Sequence, residues 1–371
     1  MFKKIVIISS IVLSGLALIA SIYFLFFRES EPAFQPPPAP AAAETPTIIS
    51  QNVVFVSRTP YTGAVLSPDS RKIRYFDQAS RSFIEAEFSG QNPVRLLDAD
   101  FENLSDVIWS PDKSKVIVAL DSAGARRYQM VDLTTGEKTD LLPGQKAFAF
   151  SPASDQIAYN FLDYQKGINK IEVADASGKN WREISKIRIQ DIAIQWPQNG
   201  KLAVSTLSSA SNPSPLLLLD VANGGLTRII PESFGLEILW SPKGDKIVYS
   251  SVDENGQGPM LKMAGVAGGT VKDLKIATFA KKCAWSADNL HIFCAVPTYW
   301  PARLVLPDDY WRGLFNSDDQ IVKINPDNGE ETMVFSPSEN LPDVQNLFSE
   351  PGGKYLFFTN KKDGLFYTIK I

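Results

Sequence analysis

Histidine and cysteine are nearly absent from this chain. Its 371 residues contain one histidine, His291, and two cysteines, Cys283 and Cys294. A serine–histidine–aspartate triad needs a histidine beside an exposed nucleophile, but His291 lies in the apolar stretch LHIFCAV and no G-x-S-x-G turn occurs. The strings H-E-x-x-H and C-x-x-C and the P-loop are also missing. We therefore expect no catalytic triad, no metal site and no cofactor.

An excess of positive charge is missing as well. The chain has 37 lysines and arginines against 41 aspartates and glutamates, which gives a net charge of −4. Because no block of basic residues stands out, we expect no nucleic-acid partner.

Charge is absent from a long segment near the N-terminus. The stretch from Ile5 to Phe27 is uncharged, and as a helix it would be about 34 Å long, enough to cross a bilayer. Lys3 and Lys4 precede it. The positive-inside rule therefore predicts residues 1–4 in the cytoplasm, a transmembrane helix over residues 5–27 and the remainder outside. The alternative, a cleaved signal peptide, fits less well, because its apolar region is usually roughly 7–15 residues long and no A-x-A site follows.

Residues 28–47, RESEPAFQPPPAPAAAETPT, are rich in proline and alanine. Proline lacks an amide hydrogen and fixes φ, so this segment cannot join a sheet. We expect an extended, semi-rigid linker that holds the following domain, residues 48–371, away from the membrane.

What this domain does contain is a repeat. ILWSPKGDKIVYSS (Ile238–Ser251) returns as VIWSPDKSKVIVAL (Val107–Leu120), FAFSPASDQIAYNF (Phe148–Phe161) and CAWSADNLHIFCAV (Cys283–Val296). Most copies are spaced roughly 40–45 residues apart, and each contains four short strands, a to d, which is typical of a propeller blade. Seven units fit, and the last lacks strand d. The sequence therefore predicts an all-β, seven-bladed propeller of antiparallel four-stranded blades, closed by an early strand, Asn52–Ser57, that completes the last blade.

The motif itself resembles a known family. A WSPDG-like turn, with Trp109, Trp240 and Trp285 at its tryptophan position, is followed by K-I-x-Y/F, I-x-V-x-D and a glycine turn. This pattern resembles the TolB-type propeller repeat, a relative of the WD repeat. The resemblance implies a binding platform outside the cytoplasm. It also has limits, since the TolB ring has six blades and a preceding domain, whereas seven units follow a linker here.

One unit is longer than the others. Blade six carries an insertion between strands b and c, PTYWPARLVLPDDYWRGLFNSDD (Pro297–Asp319). In a propeller the b–c and d–a loops share the face that bears the channel mouth, so we expect this insertion to lean over charged residues there. The candidate binding residues are Tyr299, Trp300, Arg303, Tyr310, Trp311, Arg312 and Phe315, together with Asp106, Glu237 and Lys282 at the mouth. The alternative is that these aromatic residues fold back and cap the channel.

Cys283 and Cys294 flank one tight turn. A two-residue loop would place them opposite each other and allow a disulfide, whereas a three-residue loop would put them on opposite faces as free thiols.

Three functions remain at this stage. The preferred one is a membrane-anchored, non-enzymatic propeller outside the cytoplasm that binds a protein or peptide of the cell envelope. The second is a carbohydrate-binding or glycoside-cleaving propeller, with Asp106, Asp191 or Glu237 as acids. The third is a purely structural component of the envelope.

Overall fold

The computed structural model describes residues 53–122 and 124–371. The predicted cytoplasmic residues 1–4, the transmembrane helix over 5–27 and the linker over 28–47 lie outside this range, as does Asn52. Within the described residues, no helix has both the length and the apolar character needed to cross a membrane.

The described chain forms seven antiparallel sheets of four strands each, which confirms the predicted number of blades. Blade one contains β2 (Tyr61–Leu66), β3 (Ile73–Asp77), β4 (Ser82–Ala86) and β5 (Val94–Asp98); blade two contains β6 (Leu104–Trp109), β7 (Lys115–Ser122), β8 (Ala125–Asp132) and β9 (Lys138–Asp140). Blade three contains β10 (Gln145–Phe150), β11 (Gln156–Asp163), β12 (Ile168–Asp175) and β13 (Arg182–Lys186); blade four contains β14 (Ile192–Gln198), β15 (Lys201–Thr206), β16 (Ser214–Asp220) and β17 (Leu226–Ser233).

The remaining blades follow the same order. Blade five contains β18 (Glu237–Trp240), β19 (Lys246–Ser251), β20 (Met260–Gly265) and β21 (Lys272–Asp273); blade six contains β22 (Cys283–Trp285), β23 (Ile292–Pro297), β24 (Asp319–Ile324) and β25 (Glu331–Phe335). Blade seven contains β26 (Val344–Ser349), β27 (Tyr355–Asn360) and β28 (Leu365–Lys370), and its fourth strand is β1 (Val53–Ser57). A 3-10 turn, Ala280–Lys282, precedes β22, and the insertion contains one α-helical turn, α1 (Asp308–Trp311).

The ring closes as the sequence predicts. Strand β1 pairs antiparallel with β28, with Val53 opposite Ile369 and Phe55 opposite Tyr367. The start of the described chain therefore supplies strand d of the last blade, and both edges of that sheet's third strand are paired.

The recurring serine is explained by the turn that follows it. In blade one, the Ser67 hydroxyl donates to Asp69 at 2.6 Å and accepts from the Lys72 amide at 3.0 Å. Ser110 and Ser241 make the same two kinds of bond in their own blades. The hydroxyl thus satisfies an amide inside a tight turn, as serine side chains commonly do.

The recurring tryptophan links neighbouring blades. Each indole N–H donates to the innermost strand of the preceding blade: Trp109 to the Gly63 carbonyl (2.6 Å), Trp240 to the Gln195 side chain (2.9 Å) and Trp285 to the Leu239 carbonyl (3.4 Å). Apolar side chains from adjacent blades fill the space between sheets; at the closure, Val56, Ile73 and Phe366 pack in one buried cluster. The core is therefore a series of layers around the ring.

The up-and-down path of each blade separates two faces. Loops from a to b and from c to d lie on one face, and loops from b to c and from d to a lie on the other, which we call the channel-mouth face. The blade-six insertion is a b–c loop, because Pro297 and Asp319 at its ends pair between β23 and β24. Strand β1 runs in the direction of strand d, so Val53 begins on the opposite face.

Candidate functional site

The insertion folds into a small apolar cluster of its own. Leu306 and Tyr310 are buried, and they pack against Phe279 in the loop before β22 and against Val252 after β19. The Trp300 ring packs at a tilt against Phe279, with ring centroids 4.8 Å apart, and its indole N–H donates to the Ala277 carbonyl at 2.9 Å. Part of the aromatic content of the insertion therefore holds the insertion on the propeller.

A buried cluster of charged and polar groups lies beneath the insertion. Lys282 has 0% of its side chain exposed, as have Asp319 and Asp343. The Lys282 ammonium nitrogen contacts four oxygens: Asp319 Oδ2 at 2.7 Å, Asp343 Oδ1 at 2.8 Å, the Tyr310 hydroxyl at 2.8 Å and Ser317 Oγ at 2.9 Å. The Tyr310 hydroxyl in turn donates to Asp343. Because an ammonium has only three hydrogens, these four oxygens share them.

Burial and charge oppose each other in this cluster. Burial by itself would lower the pKa of Lys282, but the nearby carboxylates of Asp319 and Asp343 outweigh it, and the pKa is raised. Burial likewise favours a high pKa for Asp343, yet the Lys282 charge and the hydrogen bonds to this carboxylate hold its pKa below the usual value. For Asp319 burial prevails and raises the pKa, and its Oδ1 has no hydrogen-bond partner within the described residues. The surroundings thus favour the charged forms of Lys282 and Asp343, which form an ion pair at 2.8 Å.

Two further contacts fix the insertion at its sides. The Lys361 ammonium, from the β27–β28 loop of blade seven, donates to the Tyr310 and Phe315 carbonyls at 2.9 and 2.6 Å. At the other side, Asp308 accepts from the Ala210 amide of blade four at 2.7 Å. The insertion also touches blade five, where the Leu306 amide donates to the Gly256 carbonyl at 2.9 Å. It is therefore a strap that spans blades four to seven.

The outer surface of the strap keeps aromatic and cationic side chains exposed. Tyr299 and Leu314 have 57% and 66% of their area exposed, and Trp311 is also exposed. The Trp311 indole N–H donates to Glu237, and the Lys281 ammonium lies 5.5 Å from the Trp311 ring centroid. Burial raises the pKa of Glu237, although Lys281 and the indole N–H favour its ionised form.

The residues predicted for the site differ in their exposure to solvent. Tyr310 is buried, Trp300 and Phe315 are half-buried, and Tyr299, Arg303, Trp311 and Arg312 are exposed. The strap lies over Glu237 and Lys282 and leaves them 2% and 0% exposed, so neither side chain is part of the outer surface. Asp106 remains exposed in blade two and has no contact with the strap within the described residues. Sequence reasoning missed two residues that carry no motif: Ser317, which lies in the strap and contacts Lys282, and Lys361, which contacts the strap from blade seven only through the fold.

The two cysteines lie directly opposite each other on β22 and β23, in the register that the two-residue loop predicts. Their Cα atoms are 4.0 Å apart and their sulfur atoms 2.08 Å apart. Cys283 begins β22 and directly follows Lys282, so this bridge fastens the chain next to the residue that carries the buried ammonium.

Outside the strap and the buried cluster, we looked for metal-binding and histidine-based sites in the described residues. Within residues 53–122 and 124–371, no group of three or more histidines, cysteines, aspartates or glutamates is arranged to hold a metal ion. His291 is half-buried beside the a–b turn of blade six, with Nδ1 3.8 Å from Asp288 Oδ2, on the face opposite the strap.

Comparison with known proteins extends the description of the fold. No protein family and no curated protein matches the sequence. Among solved structures, the chain is similar to an oligogalacturonate lyase in complex with manganese, with 13% identity over 86% of this chain and 93% of that chain and a TM-score of 0.63. An uncharacterized protein from Listeria monocytogenes has 13% identity over 84% of this chain and 95% of its own, with a TM-score of 0.54.

TolB from Acinetobacter baumannii is also similar, with 15% identity and a TM-score of 0.46 over 73% of this chain. The chain spans 62% of the length of that TolB structure. These similarities show the fold alone. What the chain binds has to be argued from its own residues.

Proposed function

We propose that this protein is a non-enzymatic propeller scaffold that binds a protein or peptide partner through its channel-mouth face, outside the cytoplasm. The observation that carries this proposal is the strap, which is held rigidly over four blades while it presents exposed aromatic and aliphatic side chains. Functional residues commonly lie on loops that a rigid scaffold positions.

Exposed apolar side chains on this face extend beyond the strap. Neighbouring loops of blades three and four contribute Leu142, Tyr164, Ile189 and Leu207, and the strap contributes Tyr299, Val305, Trp311 and Leu314. Exposed apolar groups spread over adjacent loops are a common property of protein interaction sites.

The buried charge cluster supports a scaffold more than an enzyme. Lys282 pairs with Asp319 at 2.7 Å and with Asp343 at 2.8 Å, and all three side chains are fully buried. A substrate would have to displace the strap to reach them, so their arrangement fits a structural role for this cluster.

Site-specific crosslinking tests this proposal. A photoreactive amino acid replaces Leu314 on the strap or, as a matched control, Leu290 on the opposite face; these leucines are 66% and 52% exposed. We expect the full chain in its native membrane to yield discrete protein adducts from position 314 and none from position 290. Equal adducts from both positions, or none from 314, would contradict a partner on the channel-mouth face.

Carbohydrate binding is a second candidate. Trp311 and Tyr299 offer exposed aromatic faces, and a structurally similar protein is named as a lyase of oligogalacturonate, an acidic sugar polymer. Titration of the full chain with oligogalacturonate would show saturable binding, and unsaturated products would appear if cleavage occurred. If neither binding nor cleavage is seen, the carbohydrate function is excluded. The remaining alternative to peptide binding is then a purely structural role in the cell envelope.

A further inference from the structure

The acidic residues of the strap are all engaged by other groups of the protein, and Asp309 and Asp319 have only 16% and 0% of their side chains exposed, whereas Asp318 is 45% exposed beside Lys362. Each has a partner within the described residues: the Ala210 amide for Asp308 (2.7 Å), the Val305 amide for Asp309 (2.7 Å), Lys362 for Asp318, and Lys282 for Asp319 (2.7 Å). These carboxylates are therefore committed to holding the strap, and they contribute little negative charge to its outer surface.

The basic residues of the strap face outward instead. Arg312 is 69% exposed, and its nearest carboxylate oxygen, on Asp309, is 3.8 Å away. Arg303 is exposed and makes no hydrogen bond or ion pair with another described residue. Lys281 is exposed beside Trp311 and lies 4.0 Å from the buried carboxylate of Glu237. A strap with more acids than arginines thus presents a cationic outer surface.

Apolar side chains complete this surface. The Trp311 ring lies 5.5 Å from the Lys281 ammonium, Arg312 directly follows Trp311 in the chain, and Leu314 comes two residues later, after the end of α1. Tryptophan and arginine are the residue types most often found to dominate binding energy at protein interfaces. A branched aliphatic group such as Leu314 matches an apolar side chain of a peptide better than the hydroxyl-rich edge of a sugar.

We propose that Lys281, Trp311, Arg312 and Leu314 form a docking site for an acidic peptide segment that carries an apolar side chain. This inference rests on the proposed function and names the chemistry of its partner. The peptide carboxylates would pair with Lys281 and Arg312, and the apolar side chain would cover Trp311 and Leu314. Exposed charges of this kind act mainly on the rate of association and on partner choice, so binding should weaken as salt increases.

The test uses three fluorescent synthetic peptides and the full chain in detergent. One peptide alternates glutamate with leucine, the second replaces glutamate with lysine, and the third replaces leucine with serine. Fluorescence polarisation should show saturable binding of the first peptide, at least about tenfold tighter than either of the others. Equal binding of the glutamate and lysine peptides would overturn the proposal.

Charge reversal locates the site. Arg312→Glu should weaken binding of the acidic peptide about tenfold, because like charges then face each other across the contact. Lys281→Gln is the second variant, and a single charge reversal on the opposite face, Lys243→Glu, is the matched control that should leave affinity unchanged. Equal loss in the strap and control variants would assign the effect to net charge and overturn the docking site. Because Arg312 makes only one distant ion pair, its reversal should leave the melting temperature unchanged.

The crosslinking and peptide-binding results together distinguish a failure of the acidic-peptide site from a failure of the proposed scaffold function. Adducts at position 314 combined with no preference for the acidic peptide would overturn the acidic partner and leave the scaffold function standing. Binding of oligogalacturonate that Arg312→Glu weakens, without binding of any peptide, would assign the same surface to an acidic glycan instead. No adducts and no peptide binding would overturn both proposals.

Discussion

Removal of the buried ammonium is the sharpest perturbation of the strap. Lys282→Met keeps most of the side-chain volume but takes away the donor that contacts Asp319, Asp343, Tyr310 and Ser317 at 2.7–2.9 Å. Both carboxylates would then remain inside the protein without their main counter-charge.

The loss of stability in Lys282→Met depends on the two buried carboxylates that remain without the ammonium. Loss of one partner from a buried ion pair typically costs about 3–5 kcal/mol, because an uncompensated charge remains buried. Two features limit the loss here: burial already raises the pKa of Asp319, so it can take up a proton, and Asp343 keeps the Ser317 amide at 2.9 Å. We therefore expect a decrease of about 3–4 kcal/mol in the free energy of unfolding. With an unfolding entropy of about 0.7 kcal/mol/K for roughly 320 residues, the melting temperature should fall by about 4–6 °C.

Two measurements test this expectation. Thermal unfolding by circular dichroism gives the change in melting temperature, and limited trypsin digestion reports whether the strap has detached, since Arg303 and Arg312 are exposed trypsin sites on it. The matched control is Lys201→Met, which removes the same functional group from a partly exposed pair with Asp220 at 2.7 Å. Such a pair contributes about 1 kcal/mol or less.

The stability of the Lys282→Met variant should depend on pH in a defined direction. Without Lys282, the carboxyls of Asp319 and Asp343 should both have raised pKa values in the folded state. Their protonated forms then contribute stability below the unfolded pKa, and this contribution is lost as pH rises through the folded pKa. The difference in melting temperature between the variant and the wild type should therefore become smaller as pH falls towards about 4. Equal melting temperatures for Lys282→Met and Lys201→Met, with no faster cleavage of the strap, would refute the reasoning.

Three other predictions concern the ring and the surface beneath the strap. Cys283→Ala with Cys294→Ala should lower the free energy of unfolding, measured by urea denaturation, by about 2–3 kcal/mol, because the bridge closes a loop with a sequence separation of 11; an unchanged midpoint would count against the bridge. Deletion of Leu365–Ile371 should destabilise the entire ring, since β28 pairs with both β27 and β1; an unaltered melting temperature would show that closure does not depend on it. Burial raises the pKa of Glu237, so the protein loses stability as this carboxyl ionises, when pH rises through that pKa. Glu237→Gln stays neutral and still accepts from Trp311, so the melting temperature of this variant should fall less than that of the wild type between about pH 5 and pH 8. An identical pH profile for the two proteins would contradict a buried carboxylate there.

Much of the fold could be predicted because the sequence repeats itself. A strand, a turn with serine and a second strand recur at nearly constant spacing, and each copy must bury its apolar faces against neighbours of the same kind. Counting the copies gives seven blades, and counting strands in the last copy requires another strand, which β1 supplies. The place of the insertion also follows, because an interruption of the period between two known strands fixes the face on which it emerges.

The site could be predicted only in part. The pattern indicated which loop is unusual and which residues near the mouth are charged, but it could not indicate which of them the loop covers. Tyr310 and Trp311 are adjacent aromatic residues, yet one is buried and the other exposed. The insertion has no second copy in the chain, so no periodicity relates its side chains to the core.

By itself, the sequence determined the ring: the number of blades, the closing strand and the face that carries the long loop, because these follow from local periodicity and the need to pair every sheet edge. Only the tertiary structure decided that Lys282 is a buried anchor and that Arg312 is exposed. The partners of Lys282 come from the strap and, 61 positions later in the chain, from Asp343 in the next blade. Contacts between loops of different blades depend on distances across the folded ring, and the order of residues along the chain does not encode those distances.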